Sequence, residues 1–426
     1  MNSVAADLNR PRTGALDRFL RARLLARLSA LQHGRLELRD AHGSLLMGRG
    51  VDGPHVRLEV LDPAFYRMVA ASGSVGAGEA YMAGLWRCSA PGLDESDALV
   101  ALVRLLVRNR NLLDGLESGW AHLAGAVRRL WHTSRNNTRT GSQRNIAAHY
   151  DLGNEFFEQF LSRDLMYSSA LWLEATDTLD VASARKLEAV CRRLALRRDD
   201  HLLEIGTGWG SLALHAARHY GCRVTTTTIS RRQYELARER VRAAGLTGRI
   251  EVLLKDYREL TGQYDKLVSI EMIEAVGADH LEEYFSAIDR LLAPHGVALL
   301  QAITIEDHRY AQALRAVDFI KRHVFPGSFI PSVHAILAAK TRASDLALVE
   351  FEDFGDSYAR TLEAWRRRFL SRLAAVRALG FDEPFIRLWE FYLAYCEGGF
   401  RERSIGVAHL KFAKPLWRHE RAERAA

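Results

Sequence analysis

Residues 202–210 read Leu202-Leu203-Glu204-Ile205-Gly206-Thr207-Gly208-Trp209-Gly210. A short apolar run ends in a glycine-rich turn, and Trp209 to His219 then has the apolar spacing of a helix. Strand, glycine loop and helix together open a βαβ unit. In such a unit the loop leaves space for a ligand at the strand's carboxyl end, at the switch point of an open sheet. Gly-x-Gly alone is common in loops. Placed between strand and helix, it points to a bound nucleotide or nucleoside. The dinucleotide spacing is absent, because the next glycine after Gly208 is Gly210. No Gly-Lys-Ser/Thr follows either, which disfavours a triphosphate cradle.

The same alternation continues on the C-terminal side. Arg223 to Ile229 is β-branched and Arg231 to Ala244 is helical. Ile250 to Leu254 and Lys266 to Ile270 read as strands, His280 to Leu292 as a helix, and Val297 to Ile303 as a strand. This pattern predicts an α/β fold with a doubly wound, mostly parallel sheet. Leu346 to Phe354 and Ile405 to Ala413 are β-rich and would complete it as an antiparallel pair, giving seven strands. Two helical stretches, Tyr358 to Leu379 and Glu383 to Tyr395, lie between them.

Upstream of the loop the pattern is different. Residues 1–14 are polar and read as a disordered N-terminus. Leu16 to Gln32 reads as a helix, Arg35 to Gly48 as a hairpin, and His55 to Leu61 as a strand, and Pro63 opens another helix. Asp94 to Arg110 and Leu112 to Trp131 are helical. The second is basic and amphipathic with tryptophans, a type that lies in membrane interfaces or packs on a neighbouring domain. Residues 132–144 lack periodicity and read as a linker. The expected order is a smaller N-terminal α/β domain at 15–131, the linker at 132–144 and a catalytic domain at 145–418.

Composition narrows the class. The chain has 426 residues, 48% of them hydrophobic and 26% charged, which is ordinary for a globular protein. An apolar run such as Ala98 to Val103 breaks at Arg104, far short of the ~20 residues of a spanning helix. The four cysteines form no Cys-x-x-Cys pair, and Met1 to Arg12 has no apolar leader core. A reducing, cytoplasmic setting without a metal site is expected. The net charge of +7 arises within residues 1–150, which hold 20 Arg, no Lys and 13 acidic residues. A basic first third suggests an anionic surface as partner, either a membrane or a nucleic acid. No RNA-binding motif of the Lys/Arg-Gly-Phe type is present, so nucleic acid is not expected.

Three further stretches carry a resemblance. One runs from Asn145-Ile146-Ala147-Ala148-His149-Tyr150-Asp151-Leu152-Gly153-Asn154 to Met166-Tyr167-Ser168-Ser169. The second combines the glycine loop with Thr228, Gln233 and Asp256-Tyr257-Arg258. The third is Ser269-Ile270-Glu271-Met272-Ile273-Glu274-Ala275-Val276-Gly277. With Gly73 to Tyr81, Val324 to Gly327, Phe354 to Tyr358 and Glu397 to Arg401, the chain resembles the cyclopropane-fatty-acid synthase family of S-adenosylmethionine methyltransferases, which includes the mycolic acid cyclopropane synthases.

The resemblance implies methyl transfer from S-adenosylmethionine to a cis double bond of a phospholipid acyl chain, most simply giving a cyclopropane. Alternatives are a methylene- or methyl-branched product, or a small soluble substrate. Membrane-bound phospholipids and an anionic surface would be the partners, with the protein peripheral at the inner face of the membrane; a homodimer is one expectation for assembly. By carry-over, Tyr167, Ser168, Gly206, Gly208, Thr228, Ile229, Gln233, Tyr257 and Arg258 would contact the cofactor. Thr207 and Gly210 complete its loop, and Glu204 suits the amino-acid part of the cofactor, directly or through water. Glu274 and Tyr358 match residues at the reacting centre, where a bound bicarbonate acts as base, and Ile303 matches a backbone contact to that ion. The family's ion cradle also includes a Cys and a His. Here those positions are Ser169 and Gln301, which can still donate hydrogen bonds but lack the imidazole's charge. With a weak or displaced base, a hydride shift followed by proton loss would leave a branched chain.

Overall fold

Alternation at residues 35–60 builds the first sheet. β1 (Arg35–Asp40) pairs antiparallel with β2 (Gly43–Met47) and parallel with β3 (His55–Val60). Leu36, Leu38, Val56, Leu58 and Val60 all point to one buried face. A fourth strand, β4 (Trp86–Ser89), adds antiparallel to β3 and was not expected from the sequence. The structure, a computed structural model, describes residues 14–50, 52–113 and 152–418. The polar start before Gly14, the basic helix beyond residue 113, the linker 132–144 and the Asn145–Asp151 part of the motif lie outside the described residues.

The described residues divide into two units. The first contains this sheet with α1 (Ala15–Leu28), α2 (Ala64–Met82) and α3 (Glu95–Arg108). The glycines of residues 73–78 have physical reasons to be there. Gly73 sits at φ 57°, ψ −130° and kinks α2. A Cβ on Gly78 would lie 2.4 Å from the Phe319 ring. Asp94 caps α3, accepting from the Asp97 N–H at 2.7 Å.

The first unit also takes residues 315–324 and 365–404. Both segments fall within the 145–418 range expected as one domain. The Glu383–Arg401 helix buries Ile386, Trp389, Tyr392 and Leu393 and packs on α3 and α2. A Cβ on its Gly398 would lie 2.5 Å from Val103, so only glycine allows this approach. Within this packing Arg366, 1% exposed, donates to Glu397 at 2.9 Å, to Asp97 at 2.7 Å and to Ser96.

The second unit is the expected α/β fold, a seven-stranded, mostly parallel sheet. Its strands are β5 (His201–Ile205), β6 (Arg223–Thr228), β7 (Ile250–Leu254), β8 (Tyr264–Ile270), β9 (Leu292–Ile305), β10 (Ala347–Asp353) and β11 (Ile405–Ala413). They lie in the order β10-β11-β9-β8-β5-β6-β7. The pairs from β9 to β7 are parallel, and β11 pairs antiparallel with both β9 and β10. The central strands β5, β8 and β9 are rich in buried apolar residues because both of their faces are covered, whereas the edge strand β10 is largely exposed. Leu203, Leu267, Ala298 and Leu300 face α7 (Leu281–Leu291) and α8 (Val333–Ala343). Leu202, Val268, Val297 and Leu299 face the opposite side, with α4 (Leu179–Arg193), α5 (Ser211–His219) and Val241 of α6 (Arg231–Ala243). β5 lies between β6 and β8, so the strand order reverses at its carboxyl end, which is where the glycine loop emerges.

Candidate active site

The loop after β5 is pinned by its own backbone. The N–H groups of Gly206 and Thr207 donate to the Thr227 carbonyl at 3.0 and 3.1 Å, and Gly210 N–H donates to the Thr207 carbonyl at 2.9 Å. Gly206, Gly208 and Gly210 sit at φ 102°, 51° and 85°, a region that favours glycine. A Cβ on Gly208 would meet no atom within 4 Å, so this turn of the loop faces open space. Beneath it the Thr226 hydroxyl lies 2.7 Å from Glu204 and 2.8 Å from the Thr207 hydroxyl. Burial pushes the Glu204 carboxyl up to about 8, opposed by the Thr226 hydrogen bond and the charge of Lys186.

Around the loop stand the other expected cofactor residues of this unit. Thr228 Oγ1 lies 2.8 Å from the Gln233 amide oxygen, and both side chains are buried. Half-buried Ile229 follows Thr228. Tyr167 packs against the rings of Phe157 and Phe160, and Phe157 in turn meets Trp209. Ser168 accepts a hydrogen bond from Lys186 Nζ at 2.8 Å. Tyr257 meets Tyr284 edge-on. The Arg258 guanidinium closes on Asp256 through hydrogen bonds of 2.9 and 2.7 Å.

A second cluster forms where β8 ends, beside the loop's strand. Glu271 accepts three hydrogen bonds: from Ser169 N–H at 2.9 Å and Gln301 Nε2 at 2.7 Å on one oxygen, and from Tyr358 O–H at 2.7 Å on the other. Glu271 sits at φ 48°, a backbone conformation that costs a non-glycine residue about 1–2 kcal/mol. Burial pushes its carboxyl above the usual range, and the three hydrogen bonds oppose that rise. Three residues on, one oxygen of Glu274 accepts Ile303 N–H at 2.6 Å. Its other oxygen is buried and has no hydrogen-bond partner among the described residues. Burial, and after it the neighbouring Glu271 charge, push the Glu274 carboxyl up to about 8.

The mycolic acid cyclopropane synthetase family matches residues 137–410. The chain is 37% identical over 352 residues to the tuberculostearic acid methyltransferase UfaA1 of Mycobacterium tuberculosis, covering 81% of this chain and 80% of that protein. It is 34% identical over 359 residues to the cyclopropane-fatty-acyl-phospholipid synthase of Escherichia coli, covering 84% and 87%. Among solved structures, the mycolic acid cyclopropane synthase CmaA1 complexed with SAH and CTAB superposes with a TM-score of 0.60 at 27% identity, covering 64% of this chain and 98% of that one. The chain belongs to the cyclopropane synthase family. As a member, it is an S-adenosylmethionine-dependent methyltransferase.

The open turn at Gly208 and the buried polar residues beneath it fit that cofactor. A bound bicarbonate fits less well. Of the donors expected to cradle it, the groups on Gln301 and Tyr358 and the Ser169 N–H all point to Glu271, and the Ile303 N–H points to Glu274. The Ser169 hydroxyl, expected to face an anion, instead donates to the Ala170 carbonyl at 2.9 Å. Tyr358, expected beside Glu274, is tied to Glu271.

Three residues of this cluster were not among the expected site residues, Glu271 having stood only second to Glu274. Glu271 lay inside a quoted motif, but it occupies a position of positive φ, and that signal is invisible in a one-letter string. Lys186 is fully buried on α4, a helix not singled out beforehand although Thr178 caps it and Leu179, Leu187 and Val190 mark its apolar face. Burial lowers Lys186 to about 8, and the charges of Glu271, Asp164 and Glu204 hold it up. His409 stands opposite Gln301 in the antiparallel register, with its Nε2 3.0 Å from the Gln301 oxygen. Burial drives the His409 imidazole down to about 3, so it is neutral, and Nε2–H donates. That bond turns the Gln301 amide so that its nitrogen faces Glu271.

Proposed function

We propose that the chain methylates the cis double bond of an unsaturated acyl chain in a membrane phospholipid. One observation carries this reading: two adjacent carboxylates, Glu271 and Glu274, stand at the end of β8 beside the cofactor loop, with no activated nucleophile among them. Burial pushes the Cys88 thiol up to about 12 and that of Cys222 to about 11, and Cys191 and Cys396 are also raised, so no thiolate is available. A substrate that attacks with its own π electrons needs none. When bound, S-adenosylmethionine supplies an electrophilic methyl group. The protein's share is to hold the alkene near that methyl, to place negative charge beside the cation that develops, and to accept one proton. In this reading Tyr167, Ser168, Glu204, Thr228, Gln233 and the loop Gly206–Gly210 hold the cofactor. Glu274, with its partnerless oxygen, faces the cation. The name of the Escherichia coli relative supports a phospholipid as substrate.

Two products follow from one cation. Immediate loss of a proton from the added methyl closes a cyclopropane. A hydride shift first, followed by loss of that same proton, leaves a methylene branch. The three hydrogen bonds make Glu271 a weaker base than the same buried carboxylate without them, and slower deprotonation gives the hydride shift time. This favours the methylene branch over the cyclopropane. A saturated methyl branch would need a hydride from a further reductant. The test is incubation of the protein with S-adenosylmethionine and vesicles of cis-unsaturated phospholipid, followed by mass spectrometry and proton NMR of the acyl chains. An acyl chain heavier by one CH2 with vinylidene protons is expected. Upfield ring protons would establish the cyclopropane instead, and unmodified chains would overturn the reading.

The basic first third supports docking on an anionic bilayer at the inner face of the membrane. Vesicle co-sedimentation that weakens as salt rises and as anionic lipid is removed is the expected result.

A further inference from the structure

We infer that Glu271 is the proton acceptor of the reaction, a base built into the chain at the place the resemblance assigns to a bound bicarbonate, so that turnover needs no bicarbonate. This rests on the methyl-transfer reading above.

The argument begins with the donors. Ser169 N–H, Gln301 Nε2 and Tyr358 O–H converge from three elements at 2.7–2.9 Å on one carboxylate. Three donors and no acceptor around a group describe an anion site, and here a side chain fills it. The Gln301 amide is oriented for this by His409, whose Nε2 meets the amide oxygen. The chain accepts backbone strain to put the carboxylate there, since Glu271 has φ 48° and glycine would be at ease. A bicarbonate bound beside Glu271 would bring a further negative charge into a buried cluster with no donor left for it among these groups. Among the described residues, the other oxygen of Glu274, in a residue 9% exposed, has no hydrogen-bond partner.

The proton step balances without any further reagent. A C–H bond of the transferred methyl breaks and its electron pair goes to the cationic carbon. The proton passes to a Glu271 oxygen, and the neutral carboxyl loses it to solvent after product leaves. Tyr358 keeps the accepting oxygen in place through its hydrogen bond and is a positioning residue in this step.

Three measurements test the inference. In the first, wild-type turnover is compared in carbon dioxide-free buffer and in buffer with added bicarbonate. Rates within about twofold are expected, and a loss of tenfold or more without bicarbonate would overturn the idea. The second uses Glu271→Gly, which suits the backbone at positive φ and opens the cradle. Its turnover without bicarbonate should fall roughly 100-fold or more, with bicarbonate or formate restoring part of it and S-adenosylmethionine affinity unchanged. Wild-type turnover by this variant in bicarbonate-free buffer would refute Glu271 as base. The third needs no lipid substrate: calorimetric titration with formate should show binding to Glu271→Gly and none to the wild type. Formate binding to both proteins, or to neither, would refute the filled cradle even if the lipid substrate proves to be a different one. Absence of methylation by the wild type, with formate binding to the variant alone, would instead count against the substrate reading.

Discussion

Two buried charged clusters, one in each unit, are built on opposite principles. In the first unit the Arg366 guanidinium donates from each of its three nitrogens, to Glu397, Ser96 and Asp97, and Arg401 takes the remaining oxygen of Glu397 at 2.8 Å. Opposite charges compensate one another, and every partner named is protein. In the second unit Glu271 and Glu274 are like charges three residues apart, and one oxygen of Glu274 has no partner. Burial costs both clusters solvation. The first recovers that cost inside the fold. The second leaves part of it unrecovered, as a site does when a positive charge arrives only during the reaction. Burial of charge is therefore not itself a sign of function; incomplete pairing is the better sign.

The largest expected effect tests the incomplete side. Glu274→Gln should lower methyl transfer by roughly 100- to 10,000-fold, with S-adenosylmethionine affinity in calorimetry within about twofold. Urea unfolding should show no loss of stability, because the amide removes a buried titratable group. Near-normal turnover would abolish the distinction drawn between the clusters.

The complete side should respond in stability. Arg366→Met leaves Glu397 without its buried partner and should cost about 3–5 kcal/mol in urea unfolding. The double change Arg366→Met with Glu397→Leu should recover much of that. If the single change is neutral, the cluster is not holding the first unit together.

A smaller effect is expected at the loop. Gly208→Val forces a β-branched side chain into φ 51° and into the open space of the turn. Calorimetry should show S-adenosylmethionine binding weakened about tenfold or more, and wild-type affinity in the folded variant would remove the loop from the site.

The smallest effect is a shift in pH dependence. Burial and Glu271 raise Glu274 from 4.5 to about 8. If ionised Glu274 stabilises the cation, kcat/KM should rise with pH and level off above about 8. In Glu271→Gln the like charge is gone, so the residual activity should level off at lower pH. The linkage has the corresponding sign. A carboxyl whose folded pKa is raised binds its proton more tightly in the native state, so its contribution to stability is present at low pH and lost as pH rises toward about 8. A midpoint that does not move in the variant would show that the two carboxylates do not interact.

Much of the second unit was legible because its signals are local. β5 to β9, the antiparallel β10–β11 pair and the glycine loop all follow from apolar runs and turn residues within a few positions of each other. In the first unit the hairpin at 35–48 was equally plain, whereas β4 was missed because four residues, Trp86 to Ser89, carry too little alternation to be read. The grouping of residues 383–401 with the first unit was hidden for a non-local reason. The Glu383–Arg401 helix has an apolar face, but nothing in its own sequence says which partner covers it; Gly398 against Val103 and the packing on α2 and α3 decide that.

By itself, then, the sequence determined the sheet, the loop that opens at its switch point and the set of polar residues gathered there, because backbone preference and side-chain period act over a few residues. Which carboxylate accepts which donor was decided only by the tertiary structure. Ser169 and Glu271 are 102 residues apart, Glu271 and Tyr358 are 87 apart, and Gln301 and His409 are 108 apart. Each of these bonds depends on strand register and on a φ of 48° at one glutamate, and a hydrogen bond lost to a misplacement of an ångström leaves no trace in residue identity. The resemblance implied a place for Glu274 at the reacting centre; the packing of β8, β9 and β11 with the helix of Tyr358 gathers Ser169, Gln301 and Tyr358 on Glu271 instead.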